Sequence, residues 1–485
     1  MELMNLLSGA VVPLFGQTFD VSLNWIGKLI SWLIKSVGTV GIGIIIFSLC
    51  LKIIVLPFDV YQRISMRKQN QKMKDQKERM EKLQKQYAND KQMYNQKLME
   101  MYKENGISMF SSCLPMILSM VIFIVAINAF NAYAQFSTIN NYNHMVEAYK
   151  EAIIEYTPDL ADDNNITIKD NVITVKDDGN EPSAYLYYEI AKPDSVSATD
   201  KEAVREYVKG VLEAGTLTNC YVDSNKINAD SDKLAEIKEE YPELEEEQAI
   251  RKHFVAIGQQ AVLEYYNAKD GVAENTGFLW IKNIWMTDAS YKHPVCDYAT
   301  FETEAKREEF SVNGVDKTLA KIAEDGDTNV YMESTYNEIT EKLTLQKEQA
   351  NGYFILIALS IGTILLQQVI TMRSQKEQQQ FSTVDGQGAS QQKMMLFMMT
   401  GMFAIFSFMY SSAFSIYMIT SNLFSLASTL IINKFVDSKL EKETNQITTT
   451  KMDNRTLSRI EAAKQAGKVS AQSSKEKKNK DDKTE

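Results

Sequence analysis

Five long runs of apolar residues constrain this chain more than any other feature of its sequence. They cover residues 37–58, 109–132, 353–372, 394–411 and 413–433. Each has about the 17–25 residues that an α-helix needs to cross the ~30 Å hydrocarbon core of a bilayer. Buried helices of a water-soluble core are the alternative, but they are seldom apolar on every face over this length. We therefore predict an α-helical membrane protein with five transmembrane helices.

The polar segments between these runs predict the remaining organisation. They are an N-terminal segment with an interfacial amphipathic helix (1–36), a cytoplasmic helical hairpin (59–108), an acidic α+β extracytoplasmic domain (133–352), a cytoplasmic loop (373–393) and a basic disordered tail (434–485). The amphipathic helix rests on VSLNWIGKLISWLIK (21–35), where polar residues recur every three or four positions. The alternative for the N-terminal helix is a frayed start of the first span, and the alternative for the hairpin is a solvated charged linker.

The charge distribution orients the chain across the membrane. Residues 133–351 carry 43 acidic and 21 basic side chains, whereas the segments 58–107 and 434–485 are both net positive. Short basic segments stay in the cytoplasm, and long domains cross largely regardless of charge. The sequence thus predicts a multi-pass cell-membrane protein with its N-terminus and acidic domain outside and its C-terminus in the cytoplasm.

The four cysteines divide in the same way. Cys50 and Cys113 fall within apolar runs, where a thiol is a small apolar side chain. Cys220 and Cys296 both fall in the extracytoplasmic domain. They could form a disulfide or remain free thiols, and the sequence leaves both alternatives open.

The sequence contains no pattern typical of an enzyme or of a cofactor site. It lacks a glycine-rich phosphate loop, a nucleophile elbow and a zinc motif. Within the bounds given above, the spans contain no acidic residue, which argues against a cation-coupled transporter. They contain one cation, Lys52, and a set of neutral hydrogen-bonding residues: Ser119, Gln367, Gln368, Thr400, Ser407, Tyr417, Thr420, Ser421 and Asn422.

Four stretches together resemble the YidC family of membrane protein insertases. They are IIVLPFDVYQRISMRKQ (53–69), the stretch from LMEMYKENGIS to CLPMILSMVIFIVAI (98–127), FLWIKNIWMTDASY (278–291) and the segment from QQKMM to INKF (391–435). The bulk of 135–275 and 293–350 then corresponds to insertions that the resemblance does not explain. The chain is similar to the Gram-positive type of this family, as a divergent member with a large extracytoplasmic insertion.

The resemblance implies a function and a site. It implies an insertase that moves nascent hydrophobic segments from the cytoplasm into the bilayer, without nucleotide hydrolysis, through a water-filled groove closed to the outside. Lys52 replaces the usual arginine of that groove, and Ser119, Gln368 and Tyr417 are its other expected lining residues. Nascent membrane proteins and the lipid bilayer are the expected partners, DNA is not one, and the Sec translocon and the ribosome stay open.

Three alternatives remain at the level of sequence. A receptor or scaffold would act through the extracytoplasmic domain and use the spans only as an anchor. A channel or transporter would move a small solute instead of a polypeptide. At the level of one residue, the Lys52 side chain could extend along its span to the headgroups and take no part in a groove.

Overall fold

The computed structural model of the protein describes residues 18–104, 114–179, 181–213, 217, 220–312, 314–325, 330–374, 387–435 and 438. Within the helices, some side chains are also outside this description, Ser119 among them. The first 17 residues, most of the 373–393 loop and nearly all of the 434–485 tail lie outside the described residues, and so do the predictions made for them.

The described chain is mainly helical. Its α-helices are Trp25–Val37, Val40–Asp75, Lys77–Gln86, Lys91–Glu104, Leu114–Ile154, Lys201–Glu213, Ser224–Ala229, Ser231–Glu240, Glu246–Asn267, Val272–Thr276, Tyr298–Ala305, Leu319–Glu324, Glu333–Ile339, Thr344–Glu348, Ile355–Ser374, Gln387–Met409 and Ser412–Phe435. Its strands are β1 (Asp20–Val21), β2 (Ile166–Lys169), β3 (Val172–Val175), β4 (Leu186–Ala191), β5 (Cys220–Val222), β6 (Glu309–Val312) and β7 (Val315–Thr318).

Four of the described helices are long and apolar enough to cross a bilayer. Their apolar stretches are Val40–Ser65, Met120–Ile154, Ile355–Arg373 and Ser412–Phe435. A fifth helix, Gln387–Met409, contains a shorter apolar stretch, Thr400–Met409. The protein is therefore an α-helical membrane protein, and the count of five spans stays a prediction.

The helix of the second span is much longer than its apolar run. It begins at Leu114 and continues without a break to Ile154, 22 residues past the predicted end at 132. No proline or glycine interrupts residues 133–154, so nothing in the local sequence ends the helix. Tyr142 and Tyr149 from its second half are buried in the core of residues 133–352, the predicted extracytoplasmic domain.

The described chain forms two compact units. The first consists of Met1–Leu51, Ser119–Leu365 and Met395–Ser421, and the second of Lys52–Leu118, Leu366–Met394 and Asn422–Glu485. The first unit has two hydrophobic cores. One gathers apolar residues of the spans, such as Phe47, Phe130 and Phe414. The other fills the extracytoplasmic domain, with Tyr188, Phe254 and Phe301 fully buried.

The extracytoplasmic domain contains two antiparallel sheets. The order β2-β3-β4-β5 makes one sheet and the order β1-β6-β7 makes the other. Asp170 and Asn171 join β2 to β3 in a β-hairpin with φ of 51° and 63°. Aspartate and asparagine tolerate this left-handed conformation better than most residues. In the second sheet, Asp20 pairs with Ser311, so a strand that precedes the first span belongs to this domain.

The amphipathic N-terminal segment forms the helix Trp25–Val37. Asn24 caps its start by accepting a hydrogen bond from the Gly27 N–H (2.7 Å), and Gly38 ends it in a left-handed conformation (φ 76°). Ile30 is buried in the core of the spans, whereas Trp25 and Trp32 are 74% and 64% exposed. Exposed tryptophans beside a buried apolar ridge suit the headgroup region of a bilayer.

In the second unit, Lys77–Gln86 and Lys91–Glu104 form a helical hairpin. The helices meet through a small core of Met80, Met101 and Tyr102, and Arg79 forms a surface ion pair with Glu104 (2.9 Å). The bend between them falls at residues 87–90.

Of the two alternatives for Cys220 and Cys296, the structure has the free thiols. Cys220 and Cys296 are both unpaired. Cys220 is fully buried on β5, opposite Tyr188 of β4, and the sulfur of Cys296 lies 3.7 Å from the hydroxyl of Tyr336. Burial raises the pKa of Cys220 to about 12 and that of Cys296 to about 11, so both stay protonated at neutral pH.

Candidate functional site

The helix of the first span carries three charged residues within its apolar stretch. The stretch runs from Val40 to Ser65, past the predicted end at residue 58, and so includes Asp59 and Arg63 as well as Lys52. The predicted span 37–58 contains no acidic residue, but the helix continues through Pro57, and the candidate stretch extends past that prediction to include Asp59.

The spacing of these charges places them on one side of the helix. Asp59 follows Lys52 by seven residues, and Arg63 follows Asp59 by four. At 3.6 residues per turn, positions seven and eleven residues apart differ by only ~20° around the axis. The three side chains thus form a charged strip about three turns long.

Arg63 binds to the last span. Its Nη2 donates a hydrogen bond to Thr429 Oγ1 (2.6 Å), and its Nη1 donates a longer one to Asn433 Oδ1 (3.4 Å). Both acceptors lie one turn apart on the helix Ser412–Phe435, so one planar guanidinium contacts both. The contact fixes the first span to the last one within the second unit.

Lys52 and Asp59 interact through their charges at a distance longer than that of a contact ion pair. Asp59 interacts electrostatically with Lys52 on one side and with Arg63 on the other. In the part of the chain that the structure describes, Lys52 forms no direct ion pair, and its side chain is half-buried. The strip has a net charge of +1. Among the described residues, Lys52 has no ion-pair partner at contact distance, and Arg63 is hydrogen-bonded to the neutral acceptors Thr429 and Asn433.

A buried polar face runs along the last span. Its residues recur at helical spacing and are all at least nine-tenths buried: Ser421, Asn422, Ser425, Ser428 and Thr429. Thr429 is the acceptor for Arg63. The polar residues expected from the sequence end at Asn422 and do not include Ser425, Ser428 and Thr429. The repeat of Ser, Thr and Asn every three or four residues was the available signal.

The residues expected to line a groove fall in both units. Lys52 and half-buried Gln368 belong to the second unit, while Ser119 and Tyr417 belong to the first. Tyr417 is buried against Phe130 (5.7 Å between ring centroids) and is hydrogen-bonded to Ser421. The side chain of Ser119 is outside the described part. The grouping of all four residues around one groove stays a prediction.

At the other end of the spans, the segment 278–291 connects several helices of the first unit. The carboxylate of Asp288 accepts hydrogen bonds from the N–H groups of Tyr353 (2.7 Å) and Leu356 (2.6 Å), at the start of the third span. Asp288 is fully buried. Gly352 is needed here because a Cβ at this position would lie 1.9 Å from the same carboxylate.

The same segment also holds the turn between the last two helices. The carbonyl of Met286 accepts hydrogen bonds from the Ser412 N–H (2.8 Å) and hydroxyl (2.7 Å). The Thr287 hydroxyl donates to the carbonyl of Tyr410 (3.0 Å). Asn351 completes the arrangement by donating to the carbonyls of Asn283 and Thr287. Backbone groups that have no water partner inside a membrane protein are satisfied in this way.

The chemistry of the site is electrostatic. A cation in a bilayer costs ~2.5–3.5 kcal/mol on insertion scales and is retained mainly where it has water or a polar partner. The polar face of the last span provides such a partner for Arg63 through Thr429. The described residues contain no cluster of three or more metal-ligating side chains.

Comparisons with known proteins identify the family. A family model described as 60Kd inner membrane protein matches residues 32–173 and 221–439. Only residues 174–220 separate the two matched ranges. The family model therefore also covers much of 135–275 and all of 293–350, which were predicted to be insertions. No solved structure matches the chain.

Proteins described as membrane protein insertase YidC are among the relatives. The one from Caldanaerobacter subterraneus subsp. tengcongensis is 34% identical over 114 residues, which is 24% of this chain and 53% of the relative. The one from Fusobacterium nucleatum subsp. nucleatum is 36% identical over 104 residues, 21% of this chain and 49% of the relative. The chain thus spans about half the length of these relatives. Because the family model covers well over half of the chain, the protein belongs to the 60Kd inner membrane protein family, which is the YidC family.

Proposed function

We propose that this protein is a membrane protein insertase. It moves short polar flanks of nascent hydrophobic segments across the membrane through a polar groove, while the apolar part of each segment passes into lipid. The observation that carries the proposal is the charged strip in the first span, where Lys52 has no contact ion pair in the described part of the chain. Membership of the YidC family, and relatives named as insertases, support it.

The proposed topology has five spans, with the N-terminus outside and the C-terminus in the cytoplasm. Pairing of β1 with β6 supports it, because residues 20–21 then lie on the same side of the membrane as the acidic domain. The basic hairpin lies in the cytoplasm, where it can meet a nascent chain first. The 278–291 segment ties the outer ends of the spans, which fits a groove closed to the outside.

The driving force is burial of the substrate's apolar segment. Each Å² of apolar surface removed from water contributes ~25 cal/mol, so a hydrophobic span gains far more than a short flank loses. A polar groove that reaches part of the way across the bilayer lowers the cost of desolvating that flank. Lys52 attracts acidic groups on it. No nucleotide hydrolysis is required by this scheme.

Reconstitution in proteoliposomes tests the proposal. The substrate is a small single-span protein with an acidic translocated flank, and protease protection of that flank reports insertion. We expect wild-type protein to raise protection well above empty liposomes. Lys52→Ala should reduce protection several-fold because the attracting charge is lost, and Lys52→Arg should retain it because the charge remains. Equal protection with and without wild-type protein would overturn the proposal.

A channel or transporter is the second candidate function. Asp59, in the apolar stretch of the first span, favours it because such proteins often use an intramembrane acid. Asp59 is, however, placed between two cations, and the strip is net positive. Flux of small ions in the same proteoliposomes distinguishes the two functions. Flux without substrate insertion would favour a channel.

A further inference from the structure

The role of Asp59 is not explained by the need to attract acidic substrates. A carboxylate beside Lys52 opposes that attraction, and an acid within a membrane-spanning stretch is costly in its own right. A purely structural counter-ion would be expected to form a direct pair with Arg63. Instead, the two guanidinium contacts given by the structure go to neutral acceptors, Thr429 and Asn433.

The geometry gives Asp59 an intermediate position. It lies two turns from Lys52 and one turn from Arg63 on the same side of the helix, and it interacts electrostatically with both. Arg63 is already held by the last span. Asp59 can therefore partly neutralise the charge of Lys52 without breaking a hydrogen bond or an ion pair. The carboxylate therefore adjusts how strongly the strip attracts a negative group.

We propose that Asp59 is a specificity-determining residue that competes with acidic groups of the substrate's flank for Lys52. This inference rests on the proposed insertase function. While the site is empty, Asp59 partly neutralises Lys52. When an acidic flank enters, it must share that cation with Asp59, so binding is weaker than an isolated lysine would give and the flank can leave the site afterwards. A neutral flank gains nothing from Lys52 and is insensitive to Asp59.

Two matched substrates measure this competition. They are single-span proteins that differ only in whether two positions of the translocated flank are aspartate or asparagine. The readout is the ratio of initial insertion rates, acidic over neutral, in proteoliposomes. Asp59→Asn should raise this ratio on the order of threefold, because the competing charge is removed. Asp59→Glu keeps the charge and should leave the ratio near that of wild type.

The double variant with Lys52 separates competition from a general charge effect. In Lys52→Ala, the remaining carboxylate repels the acidic flank, so the ratio should fall below that of wild type. In the double variant Lys52→Ala/Asp59→Asn, both charges are gone and the ratio should return toward one. If Asp59 acts by competing for Lys52, Asp59→Asn should raise the ratio less in the Lys52→Ala background than in wild type, and this difference measures the coupling between the two residues.

The outcomes that overturn the inference are distinct from those that overturn the function. If wild type inserts both substrates but Asp59→Asn leaves the ratio unchanged, Asp59 does not determine specificity. If Asp59→Asn slows both substrates equally and lowers the melting temperature, its role is structural and the inference is wrong. If wild type inserts neither substrate above empty liposomes, the insertase proposal fails, and this inference fails with it.

Discussion

At the scale of single residues, burial changes the acidity of several groups in the extracytoplasmic domain, and Glu308 is the clearest case. Burial, together with the carboxylates of Glu304 and Glu309, raises its pKa from 4.5 to about 7. The folded domain therefore binds a proton here more tightly than the unfolded chain does. Stability then falls as pH rises from about 4.5 to about 7, and the loss is complete above that range.

This shift predicts the behaviour of Glu308→Gln. The variant should be more stable than wild type at pH 8 and about equal at pH 4.5, because it has no charge to bury in the folded domain. Since the carboxyl is partly exposed and screened by solvent, we expect the free energy of unfolding at pH 8 to differ between variant and wild type by about 1 kcal/mol. Melting temperatures of the full chain at both pH values measure it.

A neighbouring residue provides the control for this prediction. Glu309 is exposed, so Glu309→Gln removes one repulsive charge but leaves Glu308 half-buried. It should reduce the pH dependence only in part. An unchanged pH dependence in Glu308→Gln would contradict the assignment.

At the scale of helices and strands, the start of the third span depends on a side chain remote in sequence. Asp288 accepts hydrogen bonds from two backbone N–H groups, those of Tyr353 and Leu356, across 65 and 68 residues. Phe354, between them, has a φ of 64°, which is unfavourable for a bulky residue. The buried carboxylate stabilises this unusual turn as well as the first turn of the helix.

Replacing this carboxylate should release the start of the third span. Loss of two charge-assisted hydrogen bonds in Asp288→Ala should cost about 2 kcal/mol locally, or about 30-fold in amide exchange. Hydrogen exchange of the peptide 351–360 in detergent or nanodiscs measures it. Asp297 is a matched control because its carboxylate caps the helix Tyr298–Ala305 through the Thr300 N–H (2.9 Å). Exchange in 351–360 should be unaffected by Asp297→Ala; faster exchange there in both variants would contradict a local role of Asp288.

The elements show what the sequence could and could not predict. Hydrophobic runs predicted the membrane helices because an apolar surface on every side has few alternatives to lipid. The 170–171 turn was predictable from local backbone preference. The charged strip was missed because a span was ended at its first charge, whereas Arg63 is compensated by Thr429, a residue 366 positions away. The Asp288 cap has no local signal either, since its partners follow in the chain by more than 60 residues.

At the scale of the whole molecule, the extracytoplasmic domain has a single core that contains both of its thiols. Cys220 and Cys296 are unpaired, and burial raises their pKa to about 12 and about 11. In a Cys50→Ser/Cys113→Ser background, neither should react with a maleimide at pH 7 until denaturant unfolds the domain. Both should then react over the same range of denaturant concentration, because they belong to one core.

An added cysteine at an exposed position supplies the control for this labelling. Ser197 is exposed, and Ser197→Cys should react rapidly in the folded protein. If the two native thiols reacted in denaturant only after addition of a reducing agent, a disulfide would be present and the free-thiol structure would be wrong.

The uninterrupted helix Leu114–Ile154 joins a span to the core of the extracytoplasmic domain, with Tyr149 fully buried near its far end. One extra residue placed near position 135 would turn everything beyond it by ~100° and advance it by ~1.5 Å. Tyr149 would then point away from the partners that enclose it. An insertion of seven or eleven residues would restore the phase of the helix but would advance Tyr149 by ~10 or ~16 Å, so the length of this helix as well as its phase is fixed by the core that encloses Tyr149.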